Sequence, residues 1–154
     1  MFREDGRPRR EGWSDWAVAM VPSALGYEVR NRAGDNNGYI VRDIGRAFPD
    51  EARRCGIYEW KAEKPGSRSV VVYVGCTCRA KPGSLRARIN EYCRDGSHKA
   101  LFINDALLRG YTLLVRVKVA SSKKKAEDLE NAYLDRYDYA WNIRRNGNTR
   151  RILN

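Results

Sequence analysis

Apolar and polar positions follow two rhythms along this chain. From Gly56 the rhythm is that of extended backbone: Gly56-Ile57-Tyr58-Glu59-Trp60-Lys61, a turn signal at Pro65-Gly66-Ser67, then Val70-Val71-Val72-Tyr73-Val74-Gly75. Two β-prone runs around a reversal predict an antiparallel hairpin. Tyr111 to Val119 is the clearest further strand. Leu113, Val115, Val117 and Val119 alternate there with Thr112, Leu114, Arg116 and Lys118, which predicts one buried face and one mostly wet face. Elsewhere the period is helical. Leu85, Ile89 and Tyr92 make one stripe, with Ser84 placed to cap it and Arg88 on the same side. Asp95-Gly96-Ser97 separates it from a second helix with Ala100, Leu101, Ile103, Leu107 and Leu108 as apolar positions and Gly110 as a stop. A third helix, capped by Ser121 or Ser122, carries Leu129, Ala132, Tyr133 and Tyr137, and Glu130 borders that stripe. A hairpin alone is marginal in water. An α+β fold is therefore expected, with a small central antiparallel sheet of three main strands flanked by helices.

The front of the chain reads as an addition to that core. Residues 1 to about 12 are charged and rich in Arg, Gly and Pro, like a loosely docked arm. Trp13 and Trp16 with Ala17-Val18-Ala19-Met20-Val21 form an apolar cluster that fits a short strand or a turn of helix equally. Tyr27 to Arg30 and Tyr39 to Val41 read as two arms around a Gly34-Asp35-Asn36-Asn37-Gly38 turn. Residues 1–54 are thus expected as an extension packed on a main domain at 55–145, with a basic tail at 146–154.

Composition narrows the class. The chain has 154 residues, enough for one domain to bury a core without staples. Cys55, Cys76, Cys78 and Cys93 are too few and too irregular for a secreted framework, so reduced thiols in an intracellular protein are expected. No apolar run approaches a membrane span. Thirty Lys and Arg against 19 Asp and Glu give a net charge of +11. That excess favours a polyanionic partner, nucleic acid first, because each neutralised phosphate releases counterions.

Candidate chemistry lies in residues that look ordinary one at a time: Tyr58 and Tyr73 on paired strands, an inward Arg88, the single histidine His98, Glu130 at a helix edge, and Asn142 beside Trp141. In order, they resemble the GIY-YIG nuclease superfamily. Gly56-Ile57-Tyr58 and Tyr73-Val74-Gly75 resemble the two halves of its signature. Leu85-Arg86-Ala87-Arg88-Ile89 is similar to the segment with its catalytic arginine, and Leu129-Glu130-Asn131-Ala132-Tyr133-Leu134 to the one with its metal-binding glutamate. His98 resembles a histidine of homing-endonuclease members, and Asn142 a late asparagine. Phe2-Arg3-Glu4-Asp5, the tryptophans near Trp16 and Gly96-Ser97-His98 also resemble plant effector-of-transcription nuclease-like domains, whose cysteine-rich repeats are absent here.

The resemblance implies a metal-dependent endonuclease that nicks DNA. Tyr58 is then the general base, Tyr73 a second hydroxyl that orients water or phosphate, and Arg88 the phosphate ligand. Glu130 would hold Mg²⁺ or Mn²⁺, His98 would assist proton transfer or touch phosphate, and Asn142 would fix Tyr58 or Glu130. Gly56, Gly75, Arg86 and Lys99 are expected to meet the substrate, with Gly75 letting its backbone approach. The sequence departs from the family in a longer loop between Gly75 and Arg88, and in Cys76 where repair members carry lysine. A rival for this region is zinc on Cys76, Cys78, Cys93 and His98, although Cys-x-Cys is a poor ligand spacing. The alternative function is a catalytically weak nucleic-acid-binding module with the same fold. A monomer is expected, nuclear if eukaryotic and otherwise cytoplasmic, and Lys123-Lys124-Lys125 is compatible with nuclear import.

Overall fold

A computed structural model of the chain describes residues 3–4, 12–22, 48–51, 53–79, 84–93 and 100–142. The strands are β1 (Arg3–Glu4), β2 (Ala17–Met20), β3 (Gly56–Glu63), β4 (Val70–Thr77) and β5 (Thr112–Val119), and the helices α1 (Ser84–Cys93), α2 (Ala100–Leu108) and α3 (Lys123–Arg136). The sheet order is β1-β4-β3-β5-β2, with every pairing antiparallel. The fold is α+β as expected, with β3, β4 and β5 as the long central strands. Pro65 and Gly66 turn the hairpin, and Gly66 takes the left-handed φ of +79° that glycine adopts without strain. The ambiguous Ala17 segment is a strand, paired with β5 at Ala17–Val115. The expected arms at Tyr27–Arg30 and Tyr39–Val41 lie outside the described residues.

Register fixes which side chains meet. Tyr58 stands opposite Gly75 on one side and Val117 on the other, whereas Trp60 pairs with Tyr73 and Lys61 with Val71. Val72 is therefore an extra residue in β4, a bulge of the kind that re-aims neighbouring side chains. Its carbonyl accepts from the Trp141 backbone N–H at 2.9 Å, which keeps the ladder defect satisfied.

Both faces of the sheet are covered. On one, Tyr58, Trp60, Val115 and Val117 pack with Leu85, Ile89 and Tyr92 of α1 and Ile103 and Leu107 of α2. On the other, Ile57, Val71 and Val74 pack with Tyr133 and Leu134 of α3, and with Trp13 and Tyr139. This second layer corrects the expectation of a wet face on β5. Arg116 is fully buried and sits opposite Glu59, with Nε 2.9 Å and Nη2 2.6 Å from Glu59 Oε1. Tyr139 donates to Glu59 Oε2 at 2.5 Å. Trp13 and Trp16 roof the guanidinium at 4.3 and 4.7 Å from their ring centroids. A charged residue can leave water here because its hydrogen bonds and counter-charge are supplied in place.

Helix ends follow local chemistry. Ser122 caps α3 by accepting from the Lys125 N–H at 3.1 Å. Gly110, at φ +90°, closes α2 with the paired bonds of a Schellman turn, Tyr111 N to Ala106 O and Gly110 N to Leu107 O. Three expectations need correction. Leu101 and Leu108 are exposed, because the inward side of α2 is made by the expected Ile103 and Leu107 together with Ala106. Ala132 is exposed, since α3 turns Ala126, Glu130, Tyr133 and Leu134 inward. Ser84 is the first residue of α1, and its hydroxyl bonds to Thr77 Oγ1 (3.1 Å) and accepts from Arg79 N (3.0 Å), tying the helix back to β4.

The thiols are also corrected. Cys55 and Cys78 form a disulfide with Cα atoms 4.5 Å apart, because they flank the Gly56–Thr77 pair and so face each other across the open end of the hairpin. Their spacing of 23 residues along the chain conceals a cross-strand neighbour relationship. The rival zinc set loses Cys78 to this bond, Cys93 is buried in the core, and no group of three or more potential ligands occurs among the described residues. No helix among the described residues is long and apolar enough to cross a membrane.

Candidate active site

The site grows from the pairing of Tyr58 with Gly75. A Cβ placed on Gly75 would fall inside the hydroxyl end of the Tyr58 ring, so the glycine is the space into which that phenol folds. Gly56 is likewise filled: its missing Cβ would strike the Lys118 carbonyl on β5. Both glycines are buried. Their expected role as substrate contacts is corrected accordingly: protein atoms, not open backbone, occupy the space each one leaves.

Helix α1 completes the cluster. Arg88 and Tyr92 stand one turn apart on the side that faces Tyr58. The Tyr58 and Tyr92 hydroxyls are 2.9 Å apart, and Tyr92 donates to the Tyr73 hydroxyl at 3.4 Å. Arg88 donates from Nε to the Tyr58 hydroxyl (3.2 Å) and from Nη2 to the Tyr92 hydroxyl (3.2 Å). Its third bond among the described residues runs from Nη1 to Glu91 Oε1 (3.0 Å). A guanidinium has five N–H groups, so two are not engaged by the described residues. Either oxygen of the Tyr58–Tyr92 bond can be the donor, and the three hydroxyls form one connected chain from Tyr58 through Tyr92 to Tyr73.

Electrostatics follow from burial. Tyr58 is 1% exposed and Tyr73 8%. Removal from water raises the pKa of Tyr58 well above the usual phenol value, with the neighbouring Tyr73 adding to the rise and Arg88 opposing it. Tyr73 and Tyr92 are raised as well, again chiefly by burial. All three are neutral phenols near pH 7. Burial disfavours the charge on Arg88, but Tyr58, Tyr92 and Glu91 outweigh that effect and its pKa stands above the ordinary value.

Glu130 approaches from the opposite layer on α3. It is 7% exposed, its Oε1 accepts from the Cys76 thiol at 3.5 Å, and its charge contributes to raising Tyr73. Tyr73 thus links the two sides, bonded through Tyr92 to the Arg88 cluster and within electrostatic reach of Glu130. Asn142, expected to fix Tyr58 or Glu130, is anchored on the sheet itself. Its amide clamps the outer edge of β4 at Val74, donating to the carbonyl (2.9 Å) and accepting from the N–H (3.0 Å), where a further strand would otherwise pair. Arg86 is exposed on α1. His98 and Lys99 lie outside the described residues.

Three participants were not singled out from sequence. Tyr92 is the hub of the hydroxyl cluster, and its signal was its place four residues after Arg88 on the inward stripe. Glu91 and Arg79 pair at 2.8 and 2.6 Å and reach Arg88 through the shared carboxylate. Nothing in the local pattern marks Arg79, which lies beyond the disulfide in the loop after β4.

No curated protein and no solved structure matches the chain. The family described as GIY-YIG domain-containing protein matches residues 13–152. This span takes in Trp13, the hairpin, α1 and α3, and its members are nucleases, generally dependent on a divalent metal, which implies a nucleic-acid substrate. With the paired Tyr58 and Gly75, the inward Arg88 and Glu130 in their expected order, the chain belongs to the GIY-YIG domain family.

Proposed function

We propose that the protein hydrolyses phosphodiester bonds of DNA and cuts one strand per event. The observation that supports this reading best is the seating of Arg88. Two neutral hydroxyls orient its guanidinium, its charge is retained at any working pH, and two N–H groups are left to grip a phosphate. A phosphoryl transition state needs such fixed positive donors where charge develops.

Glu130 fits a divalent ion of one particular kind. A single carboxylate cannot cage a metal, but it suits Mg²⁺ or Mn²⁺ that keeps most of its water and takes other ligands from the substrate phosphate. Such an ion would supply neutralisation of the phosphate charge. The residues of the chain do the rest. Tyr73, at the other end of the hydroxyl chain, would orient phosphate or water. For Tyr58 to act as general base it must first become a phenolate, which its burial opposes and Arg88, 3.2 Å away, favours. Its base role therefore depends on positive charge gathering at the site when substrate binds.

The second reading, a nucleic-acid-binding module of low activity, draws on the same burial, because a Tyr58 closed beneath Tyr92 and Arg88 is poorly placed to meet water directly. A supercoiled-plasmid assay with Mg²⁺ separates the two. The endonuclease reading expects nicked circles from wild type and none from Arg88→Ala or Glu130→Ala, whereas tight binding without nicking by wild type supports the module.

A further inference from the structure

Arg88 is held from two sides, and only one of them belongs to the tyrosine cluster. On the other side, Glu91 Oε1 accepts from Arg88 Nη1 (3.0 Å) and from Arg79 Nη2 (2.8 Å), and Glu91 Oε2 lies 2.6 Å from Arg79 Nη1. The Arg79–Glu91 contact is bidentate, which restricts the carboxylate in a way that a single bond does not. Arg79 is itself anchored. Its backbone N–H donates to Ser84 Oγ, Ser84 bonds to Thr77, and the preceding residue, Cys78, is locked to Cys55.

As a stability device this arrangement is poor. The side chains of Arg79 and Glu91 are 39% and 41% exposed, a setting where ion pairs contribute little. Its consequence for Arg88 is larger. Glu91 alone would fix the arginine but cancel its charge toward a phosphate. Arg79 cancels Glu91 in turn and leaves the trio with a net positive charge. The carboxyl of Glu91 is held down to about 2, first by its hydrogen bonds to Arg79, so it remains charged and able to hold both arginines throughout the neutral range.

We infer that Glu91 and Arg79 are a positioning pair for Arg88, with Glu91 setting the guanidinium plane that faces the scissile phosphate and Arg79 restoring the positive charge that Glu91 would remove. This inference rests on the nuclease reading for its catalytic consequence but not for its geometry. It separates orientation from charge. Glu91→Gln adds net positive charge and loosens Arg88, so oligonucleotide binding at low salt should tighten roughly threefold while kcat falls about tenfold. Arg79→Gln should weaken binding and lower kcat together, and Arg79→Lys should restore binding more fully than turnover.

The experiment measures Kd by fluorescence anisotropy and single-turnover cleavage for wild type and the three variants. Alongside, the exchange rate of the Arg88 Nε–H is measured by NMR. Expected are opposite movements of Kd and kcat in Glu91→Gln, with faster Nε–H exchange and a thermal midpoint near wild type. Unchanged exchange and unchanged kcat in Glu91→Gln overturn the inference, as does a parallel loss of binding and turnover in that variant. If wild type does not cleave, the nuclease reading fails, and the exchange rate and the order of affinities still decide whether the pair positions Arg88.

Discussion

Gly75→Ala is the substitution whose outcome the structure constrains most tightly. By backbone preference alone it should help, since alanine in a strand is favoured over glycine by roughly 0.5–1 kcal/mol. The structure predicts the opposite sign. A Cβ there would lie 2.6 Å from Tyr58 Cζ and 2.8 Å from Cε2, and nearer still to the hydroxyl. Tyr58 cannot retreat easily, because Tyr92 and Arg88 are hydrogen-bonded to the same hydroxyl. Because the ring is held in place, the overpacking cost falls in the upper half of the usual range, about 2–3 kcal/mol, and a net loss of about 1–2 kcal/mol remains after a backbone gain of about 1 kcal/mol. For a chain of this size that loss lowers the thermal midpoint by roughly 2–8 °C. Urea unfolding followed by tryptophan fluorescence should show a lower midpoint at unchanged slope. In the Gly75→Ala background, Tyr58→Phe removes the nearest atom but leaves the ring carbons, so it should relieve part of the loss, with a coupling above about 0.5 kcal/mol. A Gly75→Ala protein as stable as wild type would refute the reasoning, and so would strict additivity of the two substitutions.

Two further predictions concern charge. Arg116→Met leaves the Glu59 carboxylate in the second core without its counter-charge, so unfolding should show a loss of about 3–5 kcal/mol; a loss below about 1 kcal/mol would mean that Glu59 finds water. The raised phenols make stability depend on alkaline pH. An unfolded tyrosine ionises near 10, whereas Tyr58, Tyr73 and Tyr92 in the fold do not until the pH is higher. Their contribution is complete below the unfolded value and is lost as pH rises beyond it toward the folded values. Ultraviolet titration should show one fewer tyrosinate in each of Tyr58→Phe, Tyr73→Phe and Tyr92→Phe, and only after unfolding; early ionisation of any of the three in folded protein would contradict their closed environment.

Much of this was legible in the sequence, and the parts that were not share a cause. The hairpin, β5 and the three helices follow from periodicity, because spacing along the chain alone decides which face of an element is apolar. The order of Tyr58, Tyr73, Arg88 and Glu130 pointed to one site only through its resemblance to the GIY-YIG family, since no periodicity joins them. What stayed hidden depends on partners distant in sequence. Arg116 looked solvated until Glu59 on the next strand and Trp13 from the chain's front covered it. Cys55 and Cys78 became neighbours only through the register of β3 against β4. Gly75 seemed an opening for substrate, yet its space is filled by Tyr58, a fact that cross-strand pairing sets and local pattern does not. Tyr92 read as a core aromatic, and its hydroxyl acquires meaning only from two others meeting it.

The central claim is that Arg88 grips the scissile phosphate through a fixed fork of N–H donors. Single-turnover nicking of supercoiled plasmid in Mg²⁺ by Arg88→Lys tests this most directly, since lysine keeps the charge and loses the fork. A fall in cleavage rate of about 10²-fold or more, with plasmid affinity close to wild type, is the predicted result. Cleavage by Arg88→Lys at the wild-type rate would contradict it.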